Sequence, residues 1–244
     1  MRSYLLVFSI LSCLLLSNCG KDKPADVDPT ETVYENPLVS ERDTFYIGGK
    51  LVHVEKIKKS EFDALKPTVI ATDTIEDQHL LKDSAMVRRA RDTLYFKTAA
   101  KEVTLVNDNN DSGDAYAQYL YCCYIKSIDQ FLIAGNYYES YDYILIDRQT
   151  GASTKLMGKP NISPDGKYMV AGNTDLVAQF TDNGLQLFKN TPAPKLVAQK
   201  ILQTWGPEEI KWLDNKTLLV KASVSDPNSE NLERPEYFKL KLPE

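Results

Sequence analysis

An internal repeat constrains this chain more than any other feature. Asp129-Gln130-Phe131-Leu132-Ile133-Ala134-Gly135-Asn136 parallels Asp165-Gly166-Lys167-Tyr168-Met169-Val170-Ala171-Gly172-Asn173. Asp214-Asn215-Lys216-Thr217-Leu218-Leu219-Val220 repeats the first half. Each copy sets a turn-forming Asp before a short apolar run. A side chain that caps its own turn, followed by residues that fill a pleated strand, specifies a turn-plus-strand unit. The copies are offset by 36 and 49 residues, which brackets the ~40–45 residues of a propeller blade.

Strand signals dominate from Thr44 onward. Phe45-Tyr46-Ile47, Gly48-Gly49 and Leu51-Val52-His53-Val54 read as a hairpin. A second hairpin pairs Thr93–Thr98 with Glu102–Val106. Further strands are expected at 119–125, 131–134, 143–147, 168–171, 177–180, 185–188, 196–202, 217–222 and 237–242. Helical candidates are few. Ser60–Leu65 starts on a capping serine and stops before Pro67, and Ile75–Arg89 carries a ragged apolar face. Trp205-Gly206-Pro207 reads as a tight turn feeding a core strand, with both tryptophans anchoring packing.

The stretch Ile162-Ser163-Pro164-Asp165-Gly166-Lys167-Tyr168-Met169-Val170-Ala171 resembles the TolB-like propeller repeat. There, Pro sets φ, Asp caps the turn and Gly accepts positive φ. The resemblance implies an all-β body: a divergent or partial β-propeller-like stack of antiparallel sheets, with few short helices. Residues 44–244 would make roughly four to five blades. A β-sandwich is the alternative.

The first residues read as an address. Met1-Arg2 is followed by an apolar run from Tyr4 to Leu16, then Leu16-Ser17-Asn18-Cys19-Gly20. The run is shorter than the ~20 residues of a spanning helix and suits a signal peptide. The segment resembles a bacterial lipobox. That implies a signal peptide at 1–18, acylation of Cys19, and attachment to the cell envelope, at the outer membrane on its periplasmic or surface face. Residues 19–43 then form a flexible acidic tether broken by Pro24, Pro29 and Pro37. Lys21-Asp22-Lys23 resembles the charged cluster that follows the cysteine in Bacteroidetes-like surface lipoproteins.

Composition narrows the chemistry. The formal charge is -5, and loss of Arg2 with the leader takes it to -6, which disfavours nucleic acid as a partner. Of four cysteines, Cys13 leaves with the leader and Cys19 is the lipid site. Cys122 and Cys123 remain, adjacent in a strand, where neighbouring side chains point to opposite faces. They are expected to be buried, diverging thiols. His53 and His79 stand in no nucleophile–base arrangement, and no G-x-S-x-G, H-E-x-x-H or Walker sequence is present. Asp108, Asn110 and Ser112 before Gly113 imitate the start of a calcium loop, but the twelfth position is Tyr119 where glutamate is needed. A polar turn is the reading, with no metal or cofactor expected. Arg88, Arg89 and Arg91 form a basic knot, read as a solvated face or an anion site.

Eight of fourteen tyrosines fall between Tyr116 and Tyr143. Tyr137, Tyr138 and Tyr141 lie in the connection 136–142, where exposure suits a binding surface for a protein or glycan. The resulting expectation is a membrane-anchored envelope lipoprotein with a non-catalytic binding role. Two alternatives stand beside it: a carboxylate-based hydrolase of envelope glycans, which needs only two suitably spaced carboxyls, and a toxin-immunity or secretion-system lipoprotein.

Overall fold

Alternation of apolar and polar residues turns most of the body into antiparallel strands. In a computed structural model, the described residues are 46–47, 49–66, 70, 75–110, 115–190 and 193–243. The expected leader, Cys19 and the tether lie outside the described residues. The described part belongs to one unit, Glu35–Glu244. It begins with a small hairpin of β1 (Tyr46–Ile47) and β2 (Lys50–Leu51), turning on Gly49 at φ +78°. Strand β3 (His53–Lys56) and two short helices follow, α1 (Lys59–Ala64) and α2 (Glu76–Lys82).

Four sheets come next, each largely a sequential meander. Sheet I holds β4 (Val87–Ala90), β5 (Thr93–Lys97) and β6 (Glu102–Val106). Sheet II holds β7 (Ala117–Ile125), β8 (Gln130–Tyr137), β9 (Tyr141–Asp147) and β10 (Ser153–Leu156). Sheet III holds β11 (Pro160–Ile162), β12 (Tyr168–Asn173), β13 (Gly184–Asn190) and β14 (Pro194–Ile201). Sheet IV holds β15 (Trp205–Trp212), β16 (Thr217–Ser225) and β17 (Glu233–Lys241). Its fourth strand is β3, from the other end of the body, paired antiparallel with β17. Among the described residues no sheet closes into a barrel.

The sheets stack through three apolar layers. Phe96 of sheet I packs with Tyr121, Phe131 and Ile146 of sheet II. Leu132 and Leu145 of sheet II pack with Met169 and Phe188 of sheet III. Leu185 and Leu187 of sheet III pack with Trp205, Val220 and Phe238 of sheet IV. Each fully buried Leu or Phe here contributes about 1.5–3 kcal/mol. A two-layer sandwich has one such core; this body has three between its four sheets. The far face of sheet IV is covered by α1, whose Phe62 meets Leu219 and Tyr237. Lys211, itself buried, donates to the Phe62 carbonyl at 3.2 Å and sits 3.8 Å from the Phe62 ring centre.

Several local expectations are corrected. The segment 75–89 is helical only over α2; its second half is β4, because Val87 is needed in the core opposite Phe96. Val177–Phe180 is an irregular connection, with Val177 and Phe180 exposed. Trp205-Gly206-Pro207 opens strand β15, where an edge position and a bulge between Pro207 and Glu209 accommodate the missing N–H. The second arm of the first hairpin splits, since β2 closes the hairpin while β3 leaves to join β17. Helix α1 begins after Lys58 without a side-chain cap, so Ser60 lies inside the helix. A bulge between Tyr121 and Cys123 turns both thiols toward the core shared with sheet III. The cysteines therefore do not diverge, because the extra residue breaks the two-residue alternation.

Candidate functional site

A meander places its first-to-second turns at one edge and its second-to-third turns at the other. The repeated Asp turns all fall at the first edge: Asp129 before β8, Asp165 before β12 and Asp214 before β16. Sheet I supplies a fourth turn that the sequence comparison missed, at Arg91-Asp92 before β5. These carboxylates are consumed by structure. Asp165 accepts from Ser163 Oγ at 2.8 Å and the Lys167 N–H at 3.1 Å, and Asp214 accepts from the Lys216 N–H at 2.7 Å. Asp129 adopts φ +53° and accepts from Arg148 Nε and, at 2.6 Å, Gln149 Nε2. Neighbouring turns are tied together where the Asp165 N–H donates to Asn215 Oδ1 at 3.0 Å.

The opposite edge carries a cleft of about 640 Å³ between sheets II and III. Sheet II contributes the β8–β9 hairpin tip with Tyr137, Tyr138 and Tyr141, and Lys155 from β10. The β12–β13 connection contributes Phe180, Thr181 and Asp182, and Gln186 of β13 adds an amide. All three tyrosines singled out from sequence thus reach one cleft, but in different roles. Tyr138 at the tip is 65% exposed. Tyr137 donates to Asp142 at 3.0 Å and meets Tyr119 edge-on, ring centres 6.3 Å apart. Lys155 pairs with the same carboxylate at 2.9 Å. Tyr141 leaves the opposite face of the hairpin and hydrogen-bonds Asn173 of sheet III. Burial, then the nearby Asp142, pushes the Tyr137 hydroxyl well above its usual range. Burial, then Asp175, raises the Tyr141 hydroxyl above its usual value. Both hydroxyls are therefore neutral donors at ordinary pH.

Gly135 makes the Tyr137–Asp142 contact possible. A Cβ there would lie 2.6 Å from Asp142 Oδ1 and 2.7 Å from the Tyr137 hydroxyl. Gly158, in the β10–β11 connection, is equally constrained: its Cβ would meet the Gly172 carbonyl at 1.9 Å. The approach of the β10–β11 connection to β12 at this edge depends on a residue without a side chain.

The wall formed by the β12–β13 connection is a tied loop. Asp175 accepts from the N–H groups of Gln179 at 2.9 Å and Thr181 at 2.7 Å, and from Thr181 Oγ1 at 3.0 Å. Burial works against its ionisation, but these bonds outweigh it and hold the carboxyl below its usual range. Gln179 takes φ +57°, a left-handed conformation uncommon outside glycine. At the loop's base Asn183 donates to the carbonyls of Leu202 and Trp205, both at 2.8 Å. Phe180 is consequently held outward, 58% exposed. Nothing in the sequence reading pointed to Phe180, Asp142, Lys155 or Gln186; the polar run Asn173-Thr174-Asp175 was the available turn signal.

The remaining candidates do not assemble into a site. Arg89 is fully engaged, with two bonds of 2.7 Å to Glu76 and a contact to the Tyr119 carbonyl. Arg88 stacks 3.6 Å from the Tyr95 ring centre. Asp108 accepts the Asn110 N–H at 2.9 Å in a polar turn, and Ser112 and Gly113 lie outside the described residues. Cys122 and Cys123 are not joined in a disulfide, and burial pushes the Cys122 thiol up to about 12. Among the described residues no group of three or more His, Cys, Asp or Glu is placed to hold a metal ion. No described helix is long and apolar enough to cross a membrane. No protein-family model matches this chain, and no curated protein matches it.

Proposed function

We propose that this chain is a membrane-anchored envelope lipoprotein, held by lipid on Cys19, whose β-body binds a partner non-catalytically through the cleft of Tyr137, Tyr138 and Tyr141. The observation that supports the binding role is the pairing of exposed aromatic rings with a rigid polar frame. Tyr138 and Phe180 stand in water while hydrogen bonds hold Asp142, Asp175 and Asn173 around them and Lys155 pairs with Asp142. Exposed aromatics on a fixed frame are poor for stability and good for recognition. The anchor rests on the lipobox resemblance of Leu16-Ser17-Asn18-Cys19. Several acyl chains at ~0.8 kcal/mol per buried methylene would hold the body firmly at a bilayer.

A binding role is better supported than hydrolysis. Glycoside hydrolysis needs a carboxyl held protonated near neutral pH. Among the described residues, the carboxyls displaced from their usual range, Asp129, Asp147, Asp165, Asp175 and Asp214, are all displaced downward. Two experiments test the proposal. Labelled palmitate enters the wild type and not Cys19→Ala; labelling of both removes the anchor. Envelope material co-purifies with the wild type and is lost with Tyr138→Ala, which removes an exposed ring and leaves thermal unfolding near that of the wild type. Unchanged capture removes the cleft.

A further inference from the structure

We infer that the cleft takes an oligosaccharide segment lacking anionic groups, with Phe180 as its second aromatic platform; this rests on the cleft being the binding surface. Two rings define the grip. Tyr138 comes from sheet II and Phe180 from the connection in sheet III, and both are more exposed than buried. Phenylalanine has no hydroxyl to satisfy in water, and here it lines the cleft together with a second exposed ring, Tyr138. The loop does not let it collapse. The Asp175 carboxylate gathers the N–H groups on either side of Phe180, and Gln179 is bent into a left-handed turn to do so. Such local strain persists only where the surroundings impose it.

The chemistry around the rings fits sugar. A pyranose offers an apolar C–H face and a rim of hydroxyls, each both donor and acceptor. The cleft offers aromatic faces with donors and acceptors interleaved: Asp142, Asp182 and Glu139 accept, Lys155 donates, and Gln186 does both. A protein-binding hot spot has a different layout, with aromatics in a dry centre and polar groups at the rim. The volume, about 640 Å³, lies within the ~300–1,000 Å³ of small-ligand clefts.

Charge selects among sugars. Three carboxylates line the cleft against one ammonium, and that ammonium is already 2.9 Å from Asp142. The local field repels phosphate, sulfate and uronate groups and tolerates neutral, N-acetylated or amine-bearing units.

The test uses the intact chain in detergent micelles, titrated calorimetrically with three tetrasaccharides: N-acetylglucosamine, glucosamine and galacturonate. The first or second saturates the protein and the third does not. Phe180→Ala weakens binding by at least about tenfold, equivalent to ~1.4 kcal/mol, without changing thermal unfolding. Val177→Ala serves as control, since Val177 is exposed on the same loop but does not line the cleft; it leaves binding unchanged. Binding of galacturonate as strong as the others, or binding indifferent to Phe180→Ala, overturns the assignment. If no tetrasaccharide binds while Tyr138→Ala still abolishes envelope capture, the binding surface stands and the carbohydrate assignment falls. Protease-sensitive captured material would then give the cleft to a protein.

Discussion

The two edges of the sheet stack are built from the same meander and spend their polar groups in opposite ways. At the Asp-turn edge each carboxylate is used by its own turn or by the next sheet: Asp165 by Ser163 and Lys167, Asp214 by Lys216, Asp129 by Arg148 and Gln149. At the cleft edge the hydrogen bonds frame side chains left in water, Tyr138 and Phe180. Repetition marks the first edge because every sheet needs the same turn. The second edge is free to differ from sheet to sheet, and there the aromatics gather.

Glycine substitutions separate the edges most sharply. Gly158→Ala drives a Cβ into the Gly172 carbonyl and costs about 3 kcal/mol or more, with loss of cleft binding. Gly166→Ala at the Asp-turn edge, where φ is +72° and the nearest atom is 4.0 Å away, costs only the left-handed backbone penalty of about 1–2 kcal/mol and spares binding. Urea unfolding of both checks this; equal losses would erase the distinction.

Removing one hydroxyl sharpens it. Tyr141→Phe takes away the link to Asn173 across sheets II and III and lowers stability by about 1 kcal/mol. Tyr138→Phe, at the exposed tip, changes stability by less than ~0.5 kcal/mol. A stability loss at Tyr138 as large as at Tyr141 would mean that the tip ring is structural.

Acid distinguishes the edges by consequence. Asp165, Asp214 and Asp175 are all held below their usual range. Their contribution is present above the unfolded carboxyl pKa of about 3.9 and is lost as pH falls through the lowered folded values. Binding at the cleft should therefore hold from neutral pH down to about pH 4 as far as the Asp175 loop governs it. Loosening of that loop well above this range would contradict the hydrogen bonds drawn to Asp175.

The smallest effect lies between the edges, at the bulge. Cys122, 7% exposed and with its thiol raised to about 12, should resist alkylation at pH 8 until the protein unfolds. For a thiol raised in this way, stability is full below its unfolded value near 8.5 and declines as pH climbs toward 12. Rapid alkylation of native Cys122, read by mass spectrometry, would displace it from the core between sheets II and III.

Much of the fold was legible because its signals are local. Leu94 and Phe96 alternate with Tyr95 and Lys97, so β5 follows from four residues. The Asp165-Gly166 turn is specified by adjacent residues, Ser163 and Lys167 bonding Asp165 while Gly166 takes φ +72°. Elements that depend on partners were not legible. Val87 sits in a helical pattern and becomes a strand only because Phe96 is opposite. Val177–Phe180 has the composition of a strand and is held as a loop by Asp175, several residues before Phe180. The cysteine pair was misread for the same reason, since the bulge that turns both thiols one way depends on the register with Leu132 and Ile133.

The division follows from range. Period-two patterning and self-capping turns act over a few residues, so the sequence alone determined the all-β class, the recurring turn-and-strand unit and a tyrosine-rich connection at 136–142, which the structure shortens by extending β8 to Tyr137 and starting β9 at Tyr141. The joining of β3 to β17 spans nearly the whole body. The cleft likewise needs Lys155, Phe180 and Gln186 brought to Tyr138. No short-range rule reaches those distances; only the stacking of sheet on sheet, driven by the apolar layers between them, decided which side chains share a site.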